Sequence, residues 1–478
     1  MIPTNDINAF FRSYASNLFI RTKNNTYSFK DILMKSDEYL KHISSIERCR
    51  VGLLCVPSIE TIAILFTLIR LQAEIIVLSP KEPENRIHSI LNQLEADILL
   101  CTDKYLNKSQ IRYAPIPVCA IEKIDTIKSL IIPKRMKRKR VSNAPSFIIM
   151  TSGSSGSPKS AVLTIDNMLV NAHFSNRNIS FKEGDTWLLS LPLSHVSGLS
   201  ILFRAIEGGG CIYVPENQIR WQDTELPPEI THISVVSTIM KRILDNNRLP
   251  ENNTLKAMLL GGGPIPEGLV KTCYAKGFPL YVTYGLTEMA SQVTTSTPED
   301  TLEHLLTSGK PLINDTVHIE DDGTISVNGP CRFLGYLKNG ILEKPFDSQG
   351  WFNTQDFGEW TSDGYLRVLG RKDLVFICGG ENIQPEEIEN CMLSSGYVEK
   401  AVVIPLDDAE YGMIPIAFVE FAKGYNEDKL KSYLKERISG IKIPRYFYPI
   451  PEEFNVTGIK VSRKILQNYA YKNIKVKD

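Results

Sequence analysis

Residues 151–159 read Thr151-Ser152-Gly153-Ser154-Ser155-Gly156-Ser157-Pro158-Lys159. Small side chains let a backbone come close to a ligand, hydroxyls and N–H groups are dense, and a lysine ends the run. That is the chemistry of a loop folding over phosphate oxygens; a Ser/Gly linker has the same composition. A Walker loop needs Gly directly before Lys-Ser/Thr and a helix opening behind it. Pro158 occupies that Gly position, and proline has no N–H and a fixed φ. The apolar runs Phe147–Met150 and Ala161–Leu163 flank the loop, so it is expected to join two strands.

Four further stretches carry chemistry-bearing residue types. In Tyr284-Gly285-Leu286-Thr287-Glu288 an aromatic can stack on a base, a hydroxyl can bind phosphate and a carboxylate can hold Mg²⁺; a helix start capped by Thr287 reads the same way. Gly261-Gly262-Gly263-Pro264 follows a strand pattern and suits either close backbone approach to a flat ligand or a plain turn. In Trp351-Phe352-Asn353-Thr354-Gln355-Asp356, with Arg371 further on, the carboxylate can accept from ribose hydroxyls and the guanidinium can reach ribose or phosphate; a surface hairpin with an ion pair is the alternative. Asn455–Arg463 holds Lys460 in a Thr-Gly turn, where a lysine is a mobile point charge or simply solvated.

The elements that must position these residues alternate. Strand patterns are expected at 51–55, 75–78, 96–100, 187–190, 211–214, 232–236 and 256–260, with helices at 59–71 and 84–94. This βα alternation predicts an α/β fold with layered, mostly parallel sheets and flanking helices. After about residue 314 the pattern changes to short strands (315–320, 323–327, 357–360, 365–368) separated by Asp-Gly turns, which predict antiparallel hairpins. The last hundred or so residues read as an α+β unit, with helices at 385–394 and 427–437 and strands at 400–404 and 415–421. Two domains follow, 1–372 and 373–478.

A chain of 478 residues outgrows one core. Lys+Arg and Asp+Glu both number 54, so no global field for nucleic acid is implied. The basic run Lys134–Arg140 reads as a solvated linker, with an anionic partner as the alternative. Nine cysteines, without a CxxC pair, predict reduced thiols and a cytoplasmic location rather than disulfides or a zinc site. No signal-peptide pattern is expected, because Met1–Asp6 shows no basic region followed by an apolar core, and no integral membrane segment, because Thr61–Leu78 is interrupted by Arg70, Gln72 and Glu74.

Taken together and in this order, the five motifs resemble those of the acyl-adenylate-forming (AMP-binding) superfamily, across about residues 25–470. The resemblance implies a large N-terminal domain with a barrel-like subdomain and a small mobile α+β C-terminal domain. It implies ATP, Mg²⁺ and coenzyme A as cofactors and a small-molecule carboxylic acid as substrate, with monomer or homodimer left open. By position, Thr151–Lys159 closes on ATP; Gly262, Gly263 and Pro264 line the adenine site, with Tyr284 stacking. Thr287 meets the α-phosphate, Glu288 the Mg²⁺, Asp356 and Arg371 the ribose. Lys460 serves adenylation, Asp373 is the hinge, and Gly379, Gly380 and Glu381 belong to the loop beside the CoA channel.

Two departures narrow the resemblance. Gln355 stands where the family has Gly, and Ile459 separates Gly458 from Lys460. The second, with Leu191–Ser200 around His195, Arg204 after it, and Ser291-Gln292-Val293 behind Gly285, resembles the o-succinylbenzoate–CoA ligase branch of menaquinone biosynthesis. That branch activates one carboxylate of an aromatic dicarboxylate. Arg204 is then the candidate cation for the other carboxylate, His195, Gly285 and Ser291 are candidate acyl-pocket residues, and the resemblance counts His195 among the catalytic candidates with Lys460, Thr287 and Glu288. Another acid, loading of a carrier-protein thiol, or a non-catalytic nucleotide-binding relative are the competing readings.

Overall fold

The structure, a computed structural model, describes residues 7–106, 116–129, 140–151, 159–216, 219, 226–245, 254–408, 410–454, 461 and 463–474. Two large sheets dominate these residues. One runs, in spatial order, Ile341–Glu343, Gly335–Lys338, Lys159–Thr164, Ser146–Thr151, Glu74–Leu78, Arg50–Leu54, Ile98–Cys101 and Val118–Ala120. The other runs Lys310–Pro311, Ser291–Thr295, Leu280–Leu286, Ala257–Leu260, His232–Val235, Thr186–Leu188, Cys211–Tyr213, Leu18–Arg21 and Thr26–Ser28. Their centres are parallel, as is the Val118–Ala120 edge of the first sheet, and their other edges are antiparallel, as expected for helices covering both faces.

The expected strands are present, with shifted ends: 96–100 becomes Ile98–Cys101 and 187–190 becomes Thr186–Leu188. Arg50–Leu54 and Glu74–Leu78 are buried at every position, which is why Val51–Leu54 and Ile75–Leu78 carry no charged side chain. At their starts Arg50 and Glu74 form a fully buried ion pair at 2.9 Å. Arg140 is the one described member of the basic run, and its guanidinium binds the carbonyls of Ser142 and Gln72; the rest of the run lies outside the described residues.

A helix capped by Thr164, Ile165–Ile179, returns from the first sheet to the second. Its capping box satisfies the N–H groups of Thr164 and Asn167 reciprocally. Asn167, Asn171 and Ser175 recur every fourth residue and so share one face. They bind Pro330 O, Gln292 O and the Gln292 side chain respectively, which ties this helix to the Ser291–Thr295 strand. A second helix, Val196–Gly208, packs against it and ends at Gly209 in the left-handed region, φ 69°.

Beyond these sheets, Val317–Ile319, Thr324–Val327, Phe352–Trp360 and Leu366–Arg371 form an antiparallel sheet. The hairpins expected after residue 314 are therefore present, but the third strand is longer than expected and contains the whole Asn353–Asp356 stretch. Residues from Phe376 to Ala470 surround a separate apolar core. It lies between the Val398–Asp408, Gly412–Phe421 and Phe447–Pro449 strands and the helices Pro385–Ser394, Glu427–Lys435 and Arg463–Asn473.

Candidate active site

The Leu280–Leu286 strand carries Tyr284 to an edge where it meets the smaller antiparallel sheet. The Tyr284 hydroxyl donates to Asp356 Oδ2 at 2.6 Å. Across the hairpin Asp356 and Arg371 are Cα partners, and Arg371 Nη1 reaches Asp356 Oδ1 at 3.1 Å and Thr354 O at 3.2 Å. The other edge of the same guanidinium takes both carboxylate oxygens of Asp373, at 3.0 and 3.2 Å. One arginine thus joins the candidate ribose acceptor to the candidate hinge. Burial raises the Asp356 pKa, opposed by Tyr284 and Arg371. Burial and the neighbouring carboxylate push the Tyr284 phenol well above its ordinary value, so it acts as a donor. Gly262, at φ 82°, turns the chain after the Ala257–Leu260 strand, and Ser237 Oγ binds Pro264 O at 2.9 Å.

Gln355, where the resemblance expects Gly, adopts φ 63°. That region is costly for side chains with a Cβ. It is held there by Asn353 Oδ1, which accepts from the Gln355 N–H at 2.9 Å and from Nε2 at 2.7 Å.

Thr287 opens a single 3₁₀ turn, Thr287–Met289, rather than capping a helix. Glu288 Oε1 accepts from the Tyr336 hydroxyl at 2.5 Å, and Phe333 N–H binds Glu288 O. Lys159 Nζ stands 4.9 Å over the Tyr336 ring, so lysine, phenol and carboxylate form one cluster. Thr151 and Lys159 are Cα partners on adjacent antiparallel strands, so the phosphate loop leaves and returns on one rung. Ser152, Gly153, Ser154, Ser155, Gly156 and Pro158 lie outside the described residues, as does Lys460. Among the described residues no cluster of three metal-ligating side chains occurs. A lone Glu288, anchored through one oxygen, fits Mg²⁺ held mostly by phosphate and water.

Behind this segment a tight turn reverses the chain. Ala290 and Ser291 have φ 61° and 143°, and a Cβ on Gly285 would lie 2.1 Å from Ser291 O, so only glycine fits there. The turn sets Gly285 opposite Gln292. Arg204, 1% exposed, reaches this strand from the Val196–Gly208 helix. Its Nε donates to Ser175 Oγ at 2.7 Å, its Nη2 to Gln292 Oε1 at 2.8 Å and, weakly, to Ser291 Oγ at 3.5 Å. The guanidinium stacks 4.9 Å from the Trp187 ring. Among the described residues no carboxylate pairs with it. Burying an uncompensated charge costs several kcal/mol, and burial lowers the Arg204 pKa to about 9. It is therefore not the surface arginine that a helical position alone allows. His195 stands at the start of the same helix; its ring is exposed, yet surrounding protein lowers the imidazole pKa, with Glu82 opposing.

Gly379 and Gly380 form the two-residue turn between strands Phe376–Cys378 and Glu381–Ile383, at φ 54° and 89°. Both signs match a type I′ hairpin. Glu381 is exposed beside it. The sequence did not single out Tyr336, Ser175 or Trp187. For Ser175 a signal existed in the polar row Asn167, Asn171, Ser175 on a helix that is otherwise buried on that face; for the other two none was visible.

The chain belongs to the AMP-binding enzyme family: the family model matches residues 13–337, and that of the AMP-binding enzyme C-terminal domain matches 387–458. It is similar to a 2-succinylbenzoate–CoA ligase of Geobacillus sp. (strain WCH70), 39% identical over 64% of this chain and 65% of that protein. The matched stretch thus spans just under two thirds of that relative. A Bacillus cytotoxicus protein of the same name is 31% identical over 87% of this chain and 88% of its own length. Among solved structures, o-succinylbenzoate CoA synthetase from Bacillus subtilis in complex with the acyl-adenylate intermediate OSB-AMP superposes with a TM-score of 0.80 at 27% identity, covering 92% of this chain and 94% of that one. Among the described residues no helix is long and apolar enough to cross a membrane.

Proposed function

We propose that the chain is an ATP-dependent 2-succinylbenzoate–CoA ligase that works through an acyl-adenylate and supplies menaquinone biosynthesis. The carrying observation is Arg204, a buried cation without a carboxylate partner among the described residues, set against the strand opposite Tyr284–Glu288. A dicarboxylic acid supplies the missing anion with one carboxylate while the other is activated.

In the first step the succinyl carboxylate oxygen attacks the α-phosphorus of ATP, and pyrophosphate leaves with the P–O electron pair. Tyr284 presents its ring to adenine, and Asp356 with Arg371 takes the ribose. Thr287 and the Thr151–Lys159 loop hold phosphate oxygens, and Lys460 adds a positive charge. Mg²⁺, held through Glu288, would neutralise charge spreading over those oxygens. In the second step the CoA thiolate attacks the acyl carbonyl and AMP leaves. The Gly379–Glu381 turn then replaces Lys460 by rotation of residues 373–478 against 1–372 about Asp373. The separate core from Phe376 onward supports that division. His195, with its lowered pKa, stays neutral beside the acyl group. Nine free cysteines, eight of them buried, support a cytoplasmic setting.

The test is ATP–pyrophosphate exchange over a panel of acids, followed by detection of the CoA thioester. Exchange with 2-succinylbenzoate and formation of its thioester are expected. Exchange with another acid alone refutes the substrate, and exchange with no acid on the panel refutes catalysis of this reaction.

A further inference from the structure

Among the described residues two arginines are buried almost completely, and the fold treats them differently. Arg50 is given a counter-charge, Glu74, at 2.9 Å. Among the described residues Arg204 has only neutral acceptors: Ser175 Oγ, Gln292 Oε1 and, at the limit of reach, Ser291 Oγ. The residue best placed to cancel its charge is Gln292, one functional group away from glutamate.

Gln292 is 4% exposed and its orientation is fixed on three sides. Nε2 donates to Thr295 Oγ1 at 2.8 Å, which forces Oε1 toward the guanidinium. Oε1 also accepts from Ser175 Oγ. The backbone carbonyl of Gln292 accepts from Asn171 Nδ2 at 2.8 Å. An amide held in this way positions Arg204 by hydrogen bonding, yet contributes no charge. Buried polar groups need partners, and a neutral partner satisfies the N–H without satisfying the charge.

We propose that Gln292 is a specificity-determining positioning residue, aiming the Arg204 guanidinium while leaving its charge available to the second carboxylate of a dicarboxylic substrate. This rests on the reading of Arg204 given under Proposed function. Gln292 selects for the diacid by what it lacks: a glutamate of the same shape would close an internal ion pair like that of Arg50 and Glu74, and the substrate carboxylate would then compete with a covalently attached one.

The experiment compares KM and kcat for 2-succinylbenzoate and for the monoacid 4-oxo-4-phenylbutanoate in wild type, Gln292→Glu and Gln292→Met, with melting curves for each. In Gln292→Glu the KM for the diacid is expected to rise at least tenfold. The KM values for the monoacid and for ATP should stay within about twofold, and the melting temperature should not fall. Gln292→Met keeps the site neutral but removes the hydrogen bond that aims Arg204, so the KM for the diacid should rise several-fold, less than in Gln292→Glu, with the monoacid KM unchanged. Equal shifts for both acids in Gln292→Glu, no shift at all, or an unchanged diacid KM in Gln292→Met each overturn the proposal while leaving the ligase assignment standing. A wild-type protein that does not adenylate 2-succinylbenzoate overturns both.

Discussion

At the scale of single residues, two hydrogen bonds carry consequences that can be measured. Tyr336 holds one oxygen of Glu288 at 2.5 Å, with its hydroxyl proton kept on by burial and by the carboxylate itself. Replacing it by Phe frees Glu288 to rotate, at a cost of about 1 kcal/mol for a hydrogen bond of this kind. The Tyr336→Phe protein should therefore bind Mn²⁺·ATP several-fold more weakly in a direct titration, and it should need more Mg²⁺ for half-maximal exchange. Unchanged Mn²⁺·ATP affinity would show that Tyr336 only packs. Gln355 is the second case. Its φ of 63° is strained, and Asn353 offsets part of the strain. Gln355→Gly should raise the unfolding free energy by about 0.5–1 kcal/mol, seen as a higher urea midpoint at unchanged slope.

At the scale of elements, the Gly379–Gly380 turn is the most sharply specified. Both residues need positive φ, but their surroundings differ. A Cβ on Gly379 would sit 2.9 Å from Tyr411 Cδ1, whereas one on Gly380 meets nothing within 4 Å. Gly380→Ala should cost about 1 kcal/mol of backbone strain. Gly379→Ala should cost more, because Tyr411 must also move. Proteolysis of the 373–478 unit under native conditions reads that ranking, and a reversed order would contradict the turn geometry. The sequence announced this turn by its glycines, as it announced the strands on either side of the phosphate loop. It announced Asp356 less well. Gln355 and its Asn353 contacts break the alternation on which a strand is recognised, so a strand expected over 357–360 runs from Phe352 to Trp360. The Arg204 surroundings were least legible. Arg204 was visible as a charge on a helix, but Ser175 and Gln292 lie 29 and 88 residues away in the chain. They meet it only because a crossover helix and an antiparallel edge strand converge there, and no local pattern encodes that meeting.

At the scale of the whole molecule, the two large sheets and their helices make a platform, and the candidate site residues Tyr284, Asp356 and Arg371 gather where that platform meets the smaller sheet. Arg371 is the junction: it grips Asp356 on one edge and Asp373 on the other, so the candidate nucleotide pocket and the candidate pivot share one side chain. Arg204 has a consequence of another kind. Among the described residues one interior charge is unbalanced, which in thermodynamic terms leaves the interior short of one component; under the proposed function that component is 2-succinylbenzoate. Any ligand that binds only the native state raises stability by mass action, about 2.7 kcal/mol at a hundred times its Kd. The free acid alone, with no nucleotide present, should thus raise the melting temperature by several degrees at saturation, and the monoacid by clearly less. In a cell, the supply of the acid would then govern how long the enzyme survives as well as how fast it turns over.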